Sequence, residues 1–501
     1  MNLDPDITRL LTDPLWRPED LGRPIPDSPH AVSACLPTWA DNVGYEEGEA
    51  RVVDKLTTGY PRFIYNKHCR DLFAECARRF GGDGEACLAF PTRQSAALCA
   101  EFLESRDVRP VRLHDVEQAG AWCVSFPDSA AETAKTYWQH AGTGISSRQA
   151  AAVLRGGPPA PGSGVGLKAT LRQRVGGMLG VRPDDARLFP TGMAAFYTLH
   201  RALLRIFPDR KLVQFGFPYV DSLKIAQVFG PGAHFFPKGD AADLEQVSAV
   251  LQQEPVCGIA TEFPANPLLS VPDLEQLSGV ARRHDCPLIV DDTVAGSWNV
   301  DVLSAADVVW FSLTKYFSGR GDVTGGALVI RRESPFAGRL LDELESVYED
   351  LLWDEDAAVL EANSRDAAER VAAINRSAQQ LAEFLEGHPA VEHVYYPSVC
   401  GRSLYDAHRR ADGGYGGLVS IVLRNAAEVT PAFFDRLRVC KGPNLGMNYT
   451  LACPFTILAH YNELDFAESC GVSRWLVRVS VGLEPAGELI DRFREALDAI
   501  K

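Results

Sequence analysis

ADVVWFSLTKYFSGRGDVTGG, residues 306–326, runs from an apolar stretch straight into a lysine set between hydroxyl residues and a glycine-rich turn. An apolar run without polar alternation is the mark of a strand covered on both faces. A lone lysine in a loop is ordinarily a solvated surface charge. Lys315, however, follows a buried strand, and in mainly parallel sheets the functional groups gather beyond the strand ends. It stands where such a sheet opens to a ligand.

The sequence on either side of this stretch supports that reading. KLVQFGF, HFFP, VCGIATEFP, PLIVDD, VVWFSL and GALVI are strand-like runs alternating with helical segments. They predict a large α/β domain with a mainly parallel sheet over residues 161–360. A long amphipathic helix at 364–389, followed by EHVYYPS, LVSIVLR and WLVRVSVGLE, predicts a smaller C-terminal α/β domain over 361–501. Residues 67–160 carry an α/β pattern of their own. CRDLFAECARRF, TRQSAALCAEFLESR and AETAKTYWQHAG read as helices, and ACLAFP and GAWCVSFP as strands. The segment LRGGPPAPGSGVG, 154–166, breaks both periods and reads as a linker. Residues 1–66 are proline-rich and polar and read as an arm that depends on packing elsewhere.

Composition narrows the partners. The 501 residues carry a net charge of −16, which disfavours a nucleic acid. No run approaches the roughly 18 apolar residues of a membrane span. The N-terminal stretch shows no basic or apolar leader, so a cytoplasmic location is the expectation. The 12 cysteines contain no C-x-x-C and read as reduced, mostly buried thiols, and no metal site is expected.

Three strand-to-loop junctions place polar residues where buried strands end: TEFPANP (261–267), IVDDT (289–293) and FSLTK (311–315). Taken singly, each is an ordinary turn or cap. Together they supply what a pyridine cofactor needs: an acid that keeps the ring nitrogen protonated, and a lysine amine to form a Schiff base.

With these residues in place, the chain resembles the Cys/Met-metabolism family of pyridoxal-phosphate enzymes, fold-type I, of the cystathionine γ-synthase type. The resemblance is greatest to the long, fungal-type forms and covers roughly residues 30–66 and 165–490. It implies that Lys315 carries pyridoxal 5'-phosphate, that Asp291 pairs with the ring nitrogen beside Thr293, and that Asn266 lies near the phenolic oxygen. LFPTGMAAFYTLH (188–200) resembles the family's phosphate loop. Gly192 and Met193 would then offer amides, and Ser312 and Thr314 hydroxyls. Tyr60 and Arg62 of TGYPRF match a Tyr-x-Arg that the family borrows from a neighbouring subunit, which implies an arm reaching that subunit's site in a homodimer or homotetramer. WLVRVSVGLE places Arg478 on the substrate carboxylate. NLGMNYTLACP (444–454) places Thr450 where a serine orients the lysine, and Tyr449 where many members carry glutamate, both near the substrate.

The chain departs from the family's pattern in two respects. FGFPY puts Phe215 in the place of the tyrosine that stacks on the ring, with Tyr219 or Tyr449 as possible replacements. Residues 67–160 separate Tyr60 from Gly192 by far more chain than in shorter relatives. The resemblance implies γ-replacement on an activated homoserine with cysteine as nucleophile. The altered Phe215 and Tyr449 instead favour γ-elimination, with a leaving group such as a halide. A cofactor-binding protein without catalysis is the third reading.

Overall fold

The computed structural model describes residues 4–116, 120–157 and 164–500. The centre of the expected linker at 154–166 lies outside these residues. Residues 67–154 form a small layered unit. Strands β1 (Glu85–Phe90), β2 (Arg112–Asp115) and β3 (Trp122–Pro127) make an antiparallel sheet in the order β1-β3-β2. The short β2, polar and half exposed at the sheet edge, carries too little apolar signal to stand out in the sequence. Helices Lys67–Phe80, Arg93–Glu104 and Ala131–Ala141 cover this sheet.

The large domain holds seven strands: β4 (Ala186–Phe189), β5 (Leu212–Phe215), β6 (Ala233–Phe236), β7 (Gly258–Glu262), β8 (Leu288–Asp291), β9 (Val308–Ser312) and β10 (Gly326–Ile330). Their order is β4-β10-β9-β8-β7-β5-β6. Only β10 runs against its neighbours, so the sheet is mainly parallel, as its continuous apolar runs require. The five-stranded C-terminal sheet comprises β11 (Val391–Tyr395), β12 (Leu418–Leu423), β13 (Cys440–Lys441), β14 (Leu451–Pro454) and β15 (Val477–Ser480), in the order β11-β12-β15-β14-β13. Among the described residues no helix is long and apolar enough to cross a membrane.

Alternation along the large sheet decides what each strand end can reach. Ala260, Ile289 and Trp310 share one apolar cluster on one face. Val213, Phe215, Val290, Val309 and Phe311 belong to the cluster on the other. Two residues on from the first set stand Glu262, Asp291 and Ser312, which therefore emerge together at the C-terminal ends of three adjacent strands. The first cluster does not stop at the domain. It continues through helix Gly192–Ile206 into Cys69, Leu72, Phe73, Tyr137 and Trp138, so the small N-terminal unit and the large sheet share one core.

Candidate active site

A cavity of about 450 Å³ opens above these strand ends. Tyr60, Arg62, Gly192, Met193, Asn266, Asp291, Thr293, Ser312, Lys315 and Arg478 all line it. These residues come from six separate segments of the arm and both domains.

Lys315 donates from Nζ to Asn444 Oδ1 at 2.6 Å, and its Nζ lies 4.4 Å from the centre of the Tyr60 ring. Burial pushes its pKa well below that of an ordinary lysine. The neighbouring cations Arg478 and Arg62 push it further down, and Asp291 only partly offsets them. Both influences favour the neutral amine, the form that can act as nucleophile or base. Asp291 lies beside Glu262 in register across β7 and β8. Burial pushes Asp291 up to about 7, against hydrogen bonds from Thr293. Burial and the nearby Asp291 also drive Glu262 upward, although the backbone N–H groups of Asn266 (3.0 Å) and Tyr219 (2.5 Å) donate to it. Two buried carboxyl groups at the ends of adjacent strands both resist ionisation, and a cation placed above them would offset that cost.

Arg478, on β15, donates to Asn266 Oδ1 at 3.1 Å and to the Pro443 carbonyl. The guanidinium is 3% exposed and already aligned, so it meets an entering carboxylate with little further ordering. Thr191 caps helix Gly192–Ile206 by accepting from the Ala194 N–H at 3.0 Å. A Cβ at Gly192 would come within 3.0 Å of the Ser312 Cβ, so the close approach of loop and lysine strand requires glycine. The Ser312 hydroxyl is buried there without a hydrogen-bond partner among the described residues. An unpartnered hydroxyl beside a helix N-terminus, with the Arg62 guanidinium on the same cavity, fits a phosphate group. A buried lysine with a lowered pKa facing a buried acid fits the ring of pyridoxal phosphate. The residues present thus match the cofactor that the sequence implies.

Four expected site residues lie elsewhere. Phe215 follows Val213 to the opposite face of β5 and is packed in the core; Tyr219, beyond the Gly216 turn, lines the cavity in its place. Thr314 turns away from the cavity. It accepts from the Gly325 N–H at 3.1 Å and staples the lysine loop to β10. Tyr449 is fully buried against Ile7, Leu10 and Leu15 of the arm. Thr450 donates to Glu484 Oε2 at 2.7 Å and accepts from the Gly482 N–H at 3.0 Å, and it does not reach Lys315. The residue that orients the lysine is Asn444, six positions earlier in the same segment. Glu262 and Asn444 were the functional positions missing from the sequence reading, which named Tyr219 only as a replacement for the absent tyrosine. The one available signal was their place in the motifs already quoted. Tyr60 and Arg62, expected from a neighbouring subunit, line the cavity of their own chain.

The placement of Thr450 has a measurable consequence. Thr450→Val leaves Glu484 Oε2 and the Gly482 N–H without the hydroxyl, while Glu484 Oε1 keeps the backbone N–H of residue 450 at 2.8 Å, and is expected to lower unfolding stability by about 1–3 kcal/mol. Its kcat should stay near wild type. Denaturant unfolding and steady-state rates together check this, and a large kcat loss at unchanged stability would return Thr450 to the lysine.

Comparison with known proteins agrees with this geometry. Residues 168–498 match the family described as Cys/Met metabolism PLP-dependent enzyme. Residues 68–146 match the N-terminal domain of fungal trans-sulfuration enzymes. The chain is 34% identical to a cystathionine gamma-synthase of Neurospora crassa, with 96% of this chain and 98% of the relative covered. It is 32% identical to an L-2-amino-4-chloropent-4-enoate dechlorinase/desaturase of Streptantibioticus cattleyicolor, over 95% and 98% of the two chains. Among solved structures, cystathionine gamma synthase from Xanthomonas oryzae pv. oryzae in complex with cystathionine matches 67% of this chain and 86% of its own, with a TM-score of 0.59 and 25% identity. The chain is an enzyme of the fold-type I, pyridoxal-phosphate-dependent Cys/Met metabolism family, similar to cystathionine γ-synthase members with the fungal-type N-terminal domain.

Proposed function

We propose that the protein catalyses γ-replacement: the Cγ–O bond of an acylated homoserine is exchanged for a Cγ–S bond to cysteine, and the acyl group leaves as a carboxylate. Gly192, Met193, Ser312, Tyr60 and Arg62 would hold the phosphate of pyridoxal 5'-phosphate, Asp291 its ring nitrogen and Asn266 its phenolic oxygen. When bound, the cofactor supplies an electron sink that makes the protons of a substrate amino acid labile.

The chain's own residues supply the rest. Arg478 grips the α-carboxylate through parallel N–H groups, which fixes the direction in which Cα presents its proton. The neutral Lys315 amine accepts that proton, and its tether to Asn444 holds it in reach of both Cα and Cβ. Tyr219 and Tyr60 wall the cavity on the arm side.

The observation that favours cysteine as acceptor is the pair of opposite charges at the outer part of the cavity. Glu46 comes from the arm and Lys135 from helix Ala131–Ala141. Burial pushes Glu46 up to about 7, with Lys135 acting against it, so the two lie close enough to feel each other. A carboxyl group and an amine on the same cavity suit a free amino acid, which brings a charge of each sign. Glu46→Gln is expected to raise the KM for cysteine about tenfold or more, the scale of one charge-assisted hydrogen bond. The KM for O-succinyl- or O-acetylhomoserine should change little.

A second reading, γ-elimination, draws on the apolar flank of the same cavity, Leu36, Leu56, Ile64 and Leu458, and on the dechlorinase relative. Incubating the enzyme with acylated homoserine, with and without cysteine, separates the two. A thioether formed only with cysteine supports replacement. Keto acid and ammonia released at the same rate without thiol would overturn it.

A further inference from the structure

Three successive residues at the end of one helix of the small N-terminal unit bear on Arg62 and its neighbours. The Trp138 indole N–H donates to the Pro61 carbonyl at 3.0 Å and fixes the arm between Tyr60 and Arg62. The Gln139 carbonyl accepts from Arg62 Nη1 at 2.8 Å. His140 Nδ1 lies 2.7 Å from Asp221 Oδ1, and the other oxygen of Asp221 takes Arg62 Nη1 at 2.8 Å. Arg62 Nη2 reaches the Tyr219 hydroxyl at 2.5 Å. Just beyond the helix, the Gly142 carbonyl accepts from the Thr191 hydroxyl at 3.0 Å. One helix end therefore braces Arg62 and the cap of the phosphate loop together. Arg62 is 3% exposed and Asp221 fully buried. A buried arginine and aspartate are costly unless the geometry is set from outside, and His140 with the Gln139 carbonyl sets it.

Covalent connection adds to this. Four residues separate Arg62 from helix Lys67–Phe80. That link spans at most about 18 Å, so Arg62 must lie close to wherever the helix packs. The helix packs in the core that runs into its own chain's helix Gly192–Ile206.

We infer that the N-terminal unit takes over the task of a neighbouring subunit: through Trp138, Gln139 and His140 it places Tyr60 and Arg62 in the site of their own chain, so that one chain carries a complete site. His140 is a positioning residue acting through Asp221 on Arg62. The inference rests on the reading of Arg62 as a phosphate ligand, and its test does not depend on which γ-chemistry follows.

Two chains, Arg62→Ala and Lys315→Ala, are co-expressed with different tags and purified together. They are incubated with graded pyridoxal 5'-phosphate and fixed with borohydride, and the pyridoxyl adduct on Lys315 of the Arg62→Ala chain is quantified by mass. With sites complete in one chain, this adduct needs the same raised cofactor concentration as Arg62→Ala alone, and the mixture gains no activity. With shared sites, adduct forms at the wild-type concentration, each mixed dimer carrying both tags regains one of its two sites and so about half of wild-type activity, and the inference falls. The helix is tested separately. His140→Ala is expected to weaken cofactor binding about tenfold, with recovery in His140→Asn, which keeps a donor toward Asp221. Unchanged binding in His140→Ala, alongside a clear loss in Arg62→Ala, would remove the positioning role. A wild-type protein that binds pyridoxal 5'-phosphate yet performs no γ-replacement would defeat the proposed function and leave this inference standing.

Discussion

Lys315→Ala is expected to lower kcat/KM by roughly 10³-fold or more, the loss that follows when a positioned general base is removed. Borohydride treatment should leave no pyridoxyl adduct on the variant. Folding should survive, because the amine's hydrogen bond is to Asn444, whose Oδ1 keeps a second donor in the Leu445 N–H at 2.9 Å. A neutral amine buried among cations adds nothing that the fold requires. The variant's denaturant midpoint should therefore equal or exceed that of the wild type. Turnover retained at wild-type rate would refute the assignment of the site outright.

Arg478 carries the second large effect. Its guanidinium is held by the Pro443 carbonyl and by Asn266, with its plane fixed against the Phe455 ring at 4.9 Å. A lysine keeps the charge but cannot make the two parallel bonds. Arg478→Lys is expected to cut kcat/KM on the order of 10²-fold to 10³-fold, mostly through KM. Arg478→Met removes the cation as well, and the sign of a further effect then follows. Arg478 is the largest charge depressing the Lys315 pKa. Without it the amine holds its proton to higher pH, so the acidic limb of the pH–rate profile moves to higher pH. Arg478→Lys, which keeps a cation there, should leave that limb where it is. Full profiles of the three proteins check both statements, and a limb unmoved in Arg478→Met would detach it from Lys315.

Much of the site was legible because chemistry sits at strand ends, and strand ends are marked by the switch from apolar runs to polar residues. Lys315, Asp291, Asn266, Ser312 and Thr293 all follow such switches, and the cavity gathers them. Legibility failed where one residue of alternation decides the direction of a side chain. Phe215 and Tyr219 stand in one short segment, but only the pleat of β5 and the turn at Gly216 determine which faces the cavity. Thr450 and Asn444 both lie in the quoted 444–454 segment, and their roles depend on how that segment crosses the lysine loop. The small unit over residues 67–154 was recognisable as α/β from its periodicity. Its contribution to the site was not, because Trp138, Gln139 and His140 look like any helix end until tertiary packing sets them against Pro61, Arg62 and Asp221.

That crossing is tight. Gly446, with φ +74°, passes so close to the lysine loop that an added methyl would lie 2.6 Å from the Tyr316 nitrogen and 3.0 Å from the Lys315 Cβ. The same segment, anchored in the C-terminal domain, carries Asn444 to the amine, and Arg478 of that domain reaches Asn266 across the divide. The two halves of the molecule thus meet at the amine itself, beside further contacts such as Arg370 donating to the Tyr316 and Phe317 carbonyls. A rigid-body shift of about 1 Å between them would stretch both links beyond hydrogen-bonding distance. Arg478 also donates to the Pro443 and Asn444 carbonyls, so the guanidinium that would take a carboxylate and the amine of Lys315 lie on one continuous run of hydrogen bonds through residue 444.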